Sequence, residues 1–318
     1  MSRPFIIAEV GSNFDQSLNK AKKYIETAKK CGADAVKFQL FSGENLYPKN
    51  PKMQKIFKSI ELDLDWIDIL LKHANKKKIG LFFSCFDKFK QDLLIKKGVL
   101  MHKIASSEVE NFHIFKNLNK KKFKVFISSG MSDLDDLKNI YKKVNKSQTV
   151  IMQCTSLYPT NLEDVNLNVL KSLKRNFKSA ELGFSDHTIS DVSAITAVGL
   201  GAKYFEKHIT LNKKLKGPDH FYAYEPKEFK RYVDNIHSAY KCLGTNQKTI
   251  DKRVRKVARL KGVYSKNYMK KNEVLTKKKI FIDAPALGLR KKELRLVLGK
   301  KLKKDVKKNK PLKLEFFK

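Results

Sequence analysis

Hydrophobic positions along this chain fall into short runs separated by longer stretches of helical periodicity. The runs are Phe5–Val10, Ala35–Leu40, Leu81–Ser84, Met101–Ile104, Lys124–Ser128, Thr149–Cys154, Glu181–Phe184 and Tyr204–His208. Between them, Leu18–Lys30, Trp66–Lys77, Leu134–Val144, Ile189–Leu200 and Pro226–Leu243 carry the spacing of amphipathic helices. Several of these have acids near the start and lysines near the end, as the helix dipole prefers. Strands alternating with helices predict a parallel sheet, and eight such runs predict a closed (β/α)₈ barrel of the TIM type. An open doubly wound sheet is the competing arrangement, but no glycine-rich GxGxxG turn follows the first strand. Beyond Gly244 the pattern changes. Lys252–Lys261 is basic and reads as a connector or short helix. Short strand candidates follow at Lys261–Ser265, Ile280–Asp283 and Lys313–Phe317, broken by "KKNE" and "KKNKP" turns. The predicted organisation is a barrel over residues 1–246, a linker over 247–258 and a small β-rich domain over 259–318. That domain is near the lower size limit for folding alone, so it is expected to lean on a barrel.

Composition narrows the class. Hydrophobic residues make up 42% of the 318 residues, enough for a full core, which excludes a disordered chain. No stretch has the length of a membrane span, and the opening "MSRPFIIAEVG" lacks the features of a secretory signal. Cys31, Cys85, Cys154 and Cys242 lie far apart without a CxxC pair, which argues against zinc-ribbon and thioredoxin chemistry. They are expected to be inert core residues in a reducing cytoplasm. The formal charge of +36 raises the question of nucleic acid. The positive residues are mostly Lys spread over nearly every helix, as in Lys76–Lys78 and Lys120–Lys122, rather than clustered with arginine and aromatics. That distribution reads as solvated helix faces, with a field that draws in anionic substrates.

Candidate chemistry sits at the strand ends, where barrel active sites form. The first run ends near Glu9, and the second carries Lys37 and Gln39 on one face. The third ends at Ser84, and the fourth gives Lys103, Ser106 and Glu108. Ser128 and Ser129 close the fifth, Ser156 and Tyr158 follow the sixth, Ser185 and His187 the seventh, and Glu206 and His208 the eighth. A lysine inside a strand is also explained as a structural partner of a neighbouring acid, and a serine after a strand as a helix N-cap. His187 and His208 end adjacent strands, which brings two imidazoles close enough for a divalent metal. Lys37 and Lys103 with hydroxyls and backbone amides suit phosphate and carboxylate. Glu9, Glu108 and Asp219 are left for proton transfer and sugar hydroxyls.

The strings "IIAEVGSN", "GADAVKFQLF", "KIASSEVEN", "SSGM", "QCTSLYPT", "GFSDHT", "FEKHIT" and "GPDH" occur in order at these strand ends. Together they resemble the sialic acid synthase family, and "VLGKKLKKDVKKNKPL" resembles that family's antifreeze-like (SAF) domain. The resemblance implies condensation of phosphoenolpyruvate with an open-chain N-acyl hexosamine, such as N-acetylmannosamine or a diacetamido-trideoxyhexose, with release of phosphate. It implies a divalent metal on His187 and His208, manganese first, with magnesium or cobalt as alternatives. Lys103, Ser106, Ser84, Ser128 or Ser129, and Ser185 match positions that bind phosphoenolpyruvate. Lys37, Gln39, Glu9, Ser156, Tyr158 and Asp219 match positions around the sugar, and Glu108 matches a glutamate that manages the water or the aldehyde proton. A domain-swapped homodimer is implied, with no nucleic-acid or membrane partner.

The chain departs from the family pattern at Phe14, in many members His, at Ser156, in some members Asn, and at Ser84, in some members Thr. "IDAPALGL" replaces the usual RPGxG, which puts Ala284 where an arginine reaches the sugar's acyl group. Either Arg290 substitutes for it or weaker contacts hold the acyl group. Other readings stay open. A related synthase acting on a phosphorylated aldose needs a second phosphate cluster, and a barrel hydrolase needs a His-x-His after the first strand. A basic nucleic-acid-binding barrel rests on charge alone.

Overall fold

The computed structural model describes residues 3–251, 253–254 and 259–318. The chain divides into one compact unit running to Gly244 and another over Thr245–Lys318. Part of the expected connector, Lys252 and residues 255–258, lies outside the described residues.

The first unit is a closed barrel of parallel strands in sequence order. These are β1 (Phe5–Gly11), β2 (Ala35–Leu40), β3 (Gly80–Cys85), β4 (Met101–Ile104), β5 (Lys124–Ser128), β6 (Thr149–Cys154), β7 (Glu181–Asp186) and β8 (Tyr204–His208). Around them lie α1 (Leu18–Lys30), α2 (Gly43–Leu46), α3 (Pro51–Lys58), α4 (Trp66–Lys76), α5 (Lys88–Lys96), α6 (Leu134–Tyr141), α7 (Val169–Asn176), α8 (Val192–Gly199) and α9 (Pro226–Leu243). Starts follow side-chain caps: Ser17 opens α1, Asn50 α3 and Asp87 α5, while Asp133 opens α6 through a capping box. The periodicity alone did not reveal α2 and α3, which are short. The crossover after β4 is a 3₁₀ segment, Phe112–Asn119, in place of a full helix.

The barrel interior is layered. Phe126 of β5 stacks on Phe82 of β3 (5.2 Å between ring centroids) and meets Tyr204 of β8 edge-on (5.6 Å). Neither β3 nor β8 neighbours β5, so these rings fill the centre of the barrel. Further along the strands the interior turns polar, and register aligns that layer: Glu9 lies opposite both Lys37 and His208, Ser84 opposite Lys103, and Ser185 opposite Glu206. Phe14 is core. It is almost wholly buried and packs edge-on to Phe38 and Trp66.

The second unit has its own small core, including Val263, Leu275, Leu302 and Leu312. Its β9 (Gly262–Ser265) pairs antiparallel with β10 (Ile280–Asp283). The third expected strand is corrected to a 3₁₀ turn at Leu314–Phe316, with only Phe317 bridging to Leu302. Lys313–Phe317 lacks a partner run long enough for a ladder. Three of the cysteines are buried as expected, but Cys242 is exposed near the end of α9. No helix among the described residues is long and apolar enough to cross a membrane.

Candidate active site

At the carboxyl ends of the strands, two lysines and two glutamates interlock across the barrel. Lys103 on β4 donates to both carboxylate oxygens of Glu206 on β8, at 2.8 and 2.9 Å. Lys37 on β2 lies 2.9 Å from Glu9 and 3.6 Å from Glu206. Gln39 donates to the same Glu9 oxygen at 2.9 Å, and Ser185 donates to Glu206 at 3.2 Å. All four charged groups are buried. Burial alone would raise Glu206, but Lys103 and Lys37 overcome it and hold the carboxyl down to about 2. Glu9 goes the other way: burial raises it and Lys37 only partly compensates. Whenever Glu9 holds a proton, the quartet carries surplus positive charge, which an anion can balance.

A cavity of about 160 Å³ opens over this quartet. Beside it Glu9 Oε2, Ser128 Oγ and Ser156 Oγ are buried without a hydrogen-bond partner among the described residues. Buried polar groups are rarely left so, which marks a place where a ligand or water completes them. Gly130 donates its N–H to Ser106 Oγ at 3.0 Å. A Cβ on Gly130 would fall 2.3 Å from Ser156 Oγ and 3.1 Å from Cys154 Sγ, so a side chain there would have to displace the Ser156 hydroxyl.

His187, just after β7, and His208, ending β8, have ring centroids 5.5 Å apart. His187 Nδ1 lies 2.7 Å from the Thr155 carbonyl, so it donates there and leaves Nε2 as a lone pair. His208 Nδ1 faces the Tyr222 hydroxyl at 3.4 Å, and Tyr222 donates to Asp219 at 2.8 Å. Burial, together with His187 and Lys37, keeps His208 well below the usual histidine range. Two oriented imidazoles fit a divalent cation. No group of three or more His, Cys, Asp or Glu among the described residues forms a closed metal cage. A two-histidine set leaves the other positions to water and substrate, the open arrangement of a catalytic metal.

A second cavity, about 180 Å³, shares Gln39, Tyr158 and His208 with the first. It adds Ser12, Asp219 and Tyr222 on one side and Phe41, Phe57 and Ile60 on another. Gly11, at φ +58°, makes room for this site: a Cβ there would lie 2.7 Å from Asp219 Oδ2. Burial raises the Asp219 carboxyl despite its bond from Tyr222.

A model of the NeuB family matches residues 24–248. The chain belongs to the NeuB family. It is 34% identical over 328 residues to the N,N'-diacetyllegionaminic acid synthase of Campylobacter jejuni, covering 96% of this chain and 98% of that protein. The pseudaminic acid synthase of the same organism is 31% identical, covering 95% and 93%. The crystal structure of the N-acetylneuraminic acid synthetase of Leptospira borgpetersenii superimposes with a TM-score of 0.76 at 29% identity, covering 80% of this chain and 90% of that one.

Within this NeuB-family barrel, most of the residues picked out by sequence converge. Glu9, Lys37, Gln39, Ser84, Lys103 and Ser106 line the first cavity, as do Ser128, Ser156, Tyr158, Ser185, His187 and His208. Asp219 lines the second. Two residues stand apart. Ser129 donates to the Met152 carbonyl at 3.1 Å and lines neither of these cavities. Glu108 is absent from the lining; Ser107 and Asn111 donate to its carboxylate, and Ser107 is the one that reaches the cavity. The lysines do not wait as a free cradle but are paired with glutamates. Glu206 was visible at a strand end yet assigned no role, although it receives both lysines. Cys154 is not simply an inert core residue: its Sγ lines the cavity 3.9 Å from His187 Nδ1. Tyr222, behind His208, carried no signal in the sequence.

Proposed function

We propose that this chain is a nonulosonic acid synthase, joining phosphoenolpyruvate to the open-chain aldehyde of an N-acylated hexosamine and releasing inorganic phosphate. The observation that carries this reading is the pair of cavities meeting at Gln39, Tyr158 and His208. One is built for a compact anion, from lysines, serines and a glycine turn. The other offers carboxylate and hydroxyls to a sugar. A phosphorylated aldose fits less well, because among the described residues no lysine or arginine lines the second cavity and Asp219 would repel a phosphate.

In this mechanism Lys103, Ser84, Ser106, Ser128 and Ser185 bind the phosphate and carboxylate of phosphoenolpyruvate. Lys37, Gln39, Tyr158 and Asp219 orient the sugar. The methylene carbon forms a bond to the aldehyde carbon, and Glu9, whose hold on a proton is strengthened by burial, gives that proton to the aldehyde oxygen. Water adds to the resulting oxocarbenium carbon and gives its proton to the Glu9 carboxylate left by the first step. Carbon–oxygen cleavage then expels phosphate and leaves the keto acid. A divalent metal on His187 and His208, manganese by preference, would supply Lewis-acid polarisation of the aldehyde. Glu108 acts through Ser107, which it positions. Residues 259–318 form an SAF-like cap, joined by a linker at 247–258 to a barrel of residues 1–246. In a cytoplasmic homodimer this cap covers the partner's barrel mouth and keeps bulk solvent out, so that only the reacting water meets the oxocarbenium.

The test is phosphate release from phosphoenolpyruvate with a panel of N-acylated hexoses, with and without manganese. Sugar-dependent release that is lost on chelation, restored by metal and not restored in His208→Ala is expected. Release without any sugar, or full activity in metal-free enzyme, would overturn the corresponding part of the reading.

A further inference from the structure

The second cavity is chemically two-sided. Ser12, Asp219 and Tyr222 make its polar side. Its apolar side comes from the excursion between β2 and α4: Phe41 just after β2, Phe57 in α3 and Ile60 just beyond it. Phe57 packs against the rings of Phe41 (5.6 Å) and Tyr47 (4.8 Å). Helix α3 buries none of its own residues, so its apolar face does not serve the barrel core. It is nevertheless held firmly. A Cβ on Gly43 would fall 2.5 Å from the Gln54 carbonyl and 2.8 Å from the Lys58 nitrogen, so α2 and α3 meet backbone to backbone. Glu61, just past Ile60, accepts the Gly43 N–H at 2.7 Å.

We infer that this excursion sets sugar specificity, with Phe41, Phe57 and Ile60 receiving a deoxygenated, methyl-bearing end of the amino sugar. The inference rests on the synthase reading. An N-acyl group brings an amide N–H and a carbonyl, which find partners on the polar side and none on the wall. A hydroxyl pressed against the wall loses water and gains no hydrogen bond, whereas a methyl is simply buried. An apolar pocket of this kind rejects an added hydroxyl by roughly ten- to hundredfold.

The experiment compares N-acetylmannosamine with its 6-deoxy counterpart, identical in every other centre, by phosphate release from phosphoenolpyruvate. The full-length protein should prefer the 6-deoxy sugar by roughly ten- to hundredfold in kcat/KM, chiefly through KM. Phe57 and Ile60 are half-exposed, so Phe57→Asn and Ile60→Asn leave the core intact. In both the preference should fall toward parity while KM for phosphoenolpyruvate stays unchanged. Equal efficiency on the two sugars in the unaltered protein, or a preference untouched by both substitutions, would overturn the inference and leave the synthase standing. No sugar-dependent phosphate release at all would overturn the synthase reading and this inference with it.

Discussion

Two buried lysine–carboxylate systems lie on opposite faces of the barrel sheet, with β8 contributing to both. On the outer face Lys207 pairs with Asp186 at 3.2 Å, directly opposite it in register. Its ammonium sits over the rings of Tyr224 (4.3 Å) and Tyr232 (5.3 Å). Both Asp186 oxygens are used, one by the Thr188 N–H at 2.9 Å and the other by Lys207 and Ser193. On the inner face Lys103 and Lys37 share Glu206 and Glu9, equally buried, but Glu9 Oε2 and neighbouring hydroxyls have no partner among the described residues and border a cavity. Burial and pairing therefore do not distinguish a binding site from a structural brace. Incomplete hydrogen bonding beside open space does. The outer pair has its own role, because Asp186 and Lys207 each precede one of the paired histidines and brace both strand ends.

The comparison breaks most sharply at its two lysines. Lys103→Ala should lower kcat/KM for phosphoenolpyruvate by about a thousandfold, the order seen when a donor to a reacting anion is removed, with sugar KM little changed. An unaltered KM for phosphoenolpyruvate would return Lys103 to a structural role. Lys207→Met should instead cost about 3–5 kcal/mol of stability, since it strands a buried carboxylate. The double substitution with Asp186→Asn should recover much of that loss. Denaturant melts decide: a cost no larger than that of removing the exposed Lys230–Asp234 pair, about 0–1 kcal/mol, would show that the outer pair braces nothing.

A smaller effect concerns His102, the outward neighbour of Lys103 on β4. It bonds Gln91 (2.9 Å) and the Val99 carbonyl (3.0 Å), and burial lowers its pKa from 6.5 to about 4. Between these values the unfolded chain takes up a proton that the folded one refuses. Stability is therefore complete above pH 6.5 and falls as pH drops toward 4, by about 3 kcal/mol at most. In His102→Gln that part of the acid slope in Tm should vanish. An unchanged slope would place the titration elsewhere.

The smallest effect tests the tail. The Arg290 guanidinium is held by Glu293 at 3.3 Å, so it is already engaged within its own unit. Ala284→Arg should then improve efficiency on N-acetylmannosamine by about tenfold, the worth of one charged hydrogen bond. Arg290→Ala should change sugar use little. A collapse of sugar binding in Arg290→Ala, or no gain from Ala284→Arg, would contradict this.

Much of the barrel was legible because strand and helix periods are local properties. Ala35–Leu40, Met101–Ile104, Lys124–Ser128, Thr149–Cys154 and Tyr204–His208 are strands over the residues expected. The polar strand ends were legible too, since a barrel's core does not call for lysines and histidines along one rim. The short helices α2 and α3 were missed because neither is long enough for periodicity to register, yet they carry the apolar wall of the second cavity. Ser129 and Glu108 came from their strand-end positions and the family resemblance, neither of which says where a side chain's hydrogen bonds go. A hydroxyl one residue further along a turn points to the backbone, and a carboxylate on a 3₁₀ segment is satisfied by its own neighbours.

By itself, then, the sequence determined which residues form the barrel strands, which face each takes along its own strand, and which motifs gather at one end. Only closure of the barrel decided what those faces meet. Lys103 and Glu206 are far apart in sequence and lie on strands that do not pair, so no local period could join them. Tertiary packing also decided that Lys207 would be satisfied while Glu9 would be left unfinished. That difference depends on the atoms across a gap, and alternation along a single strand carries no record of them.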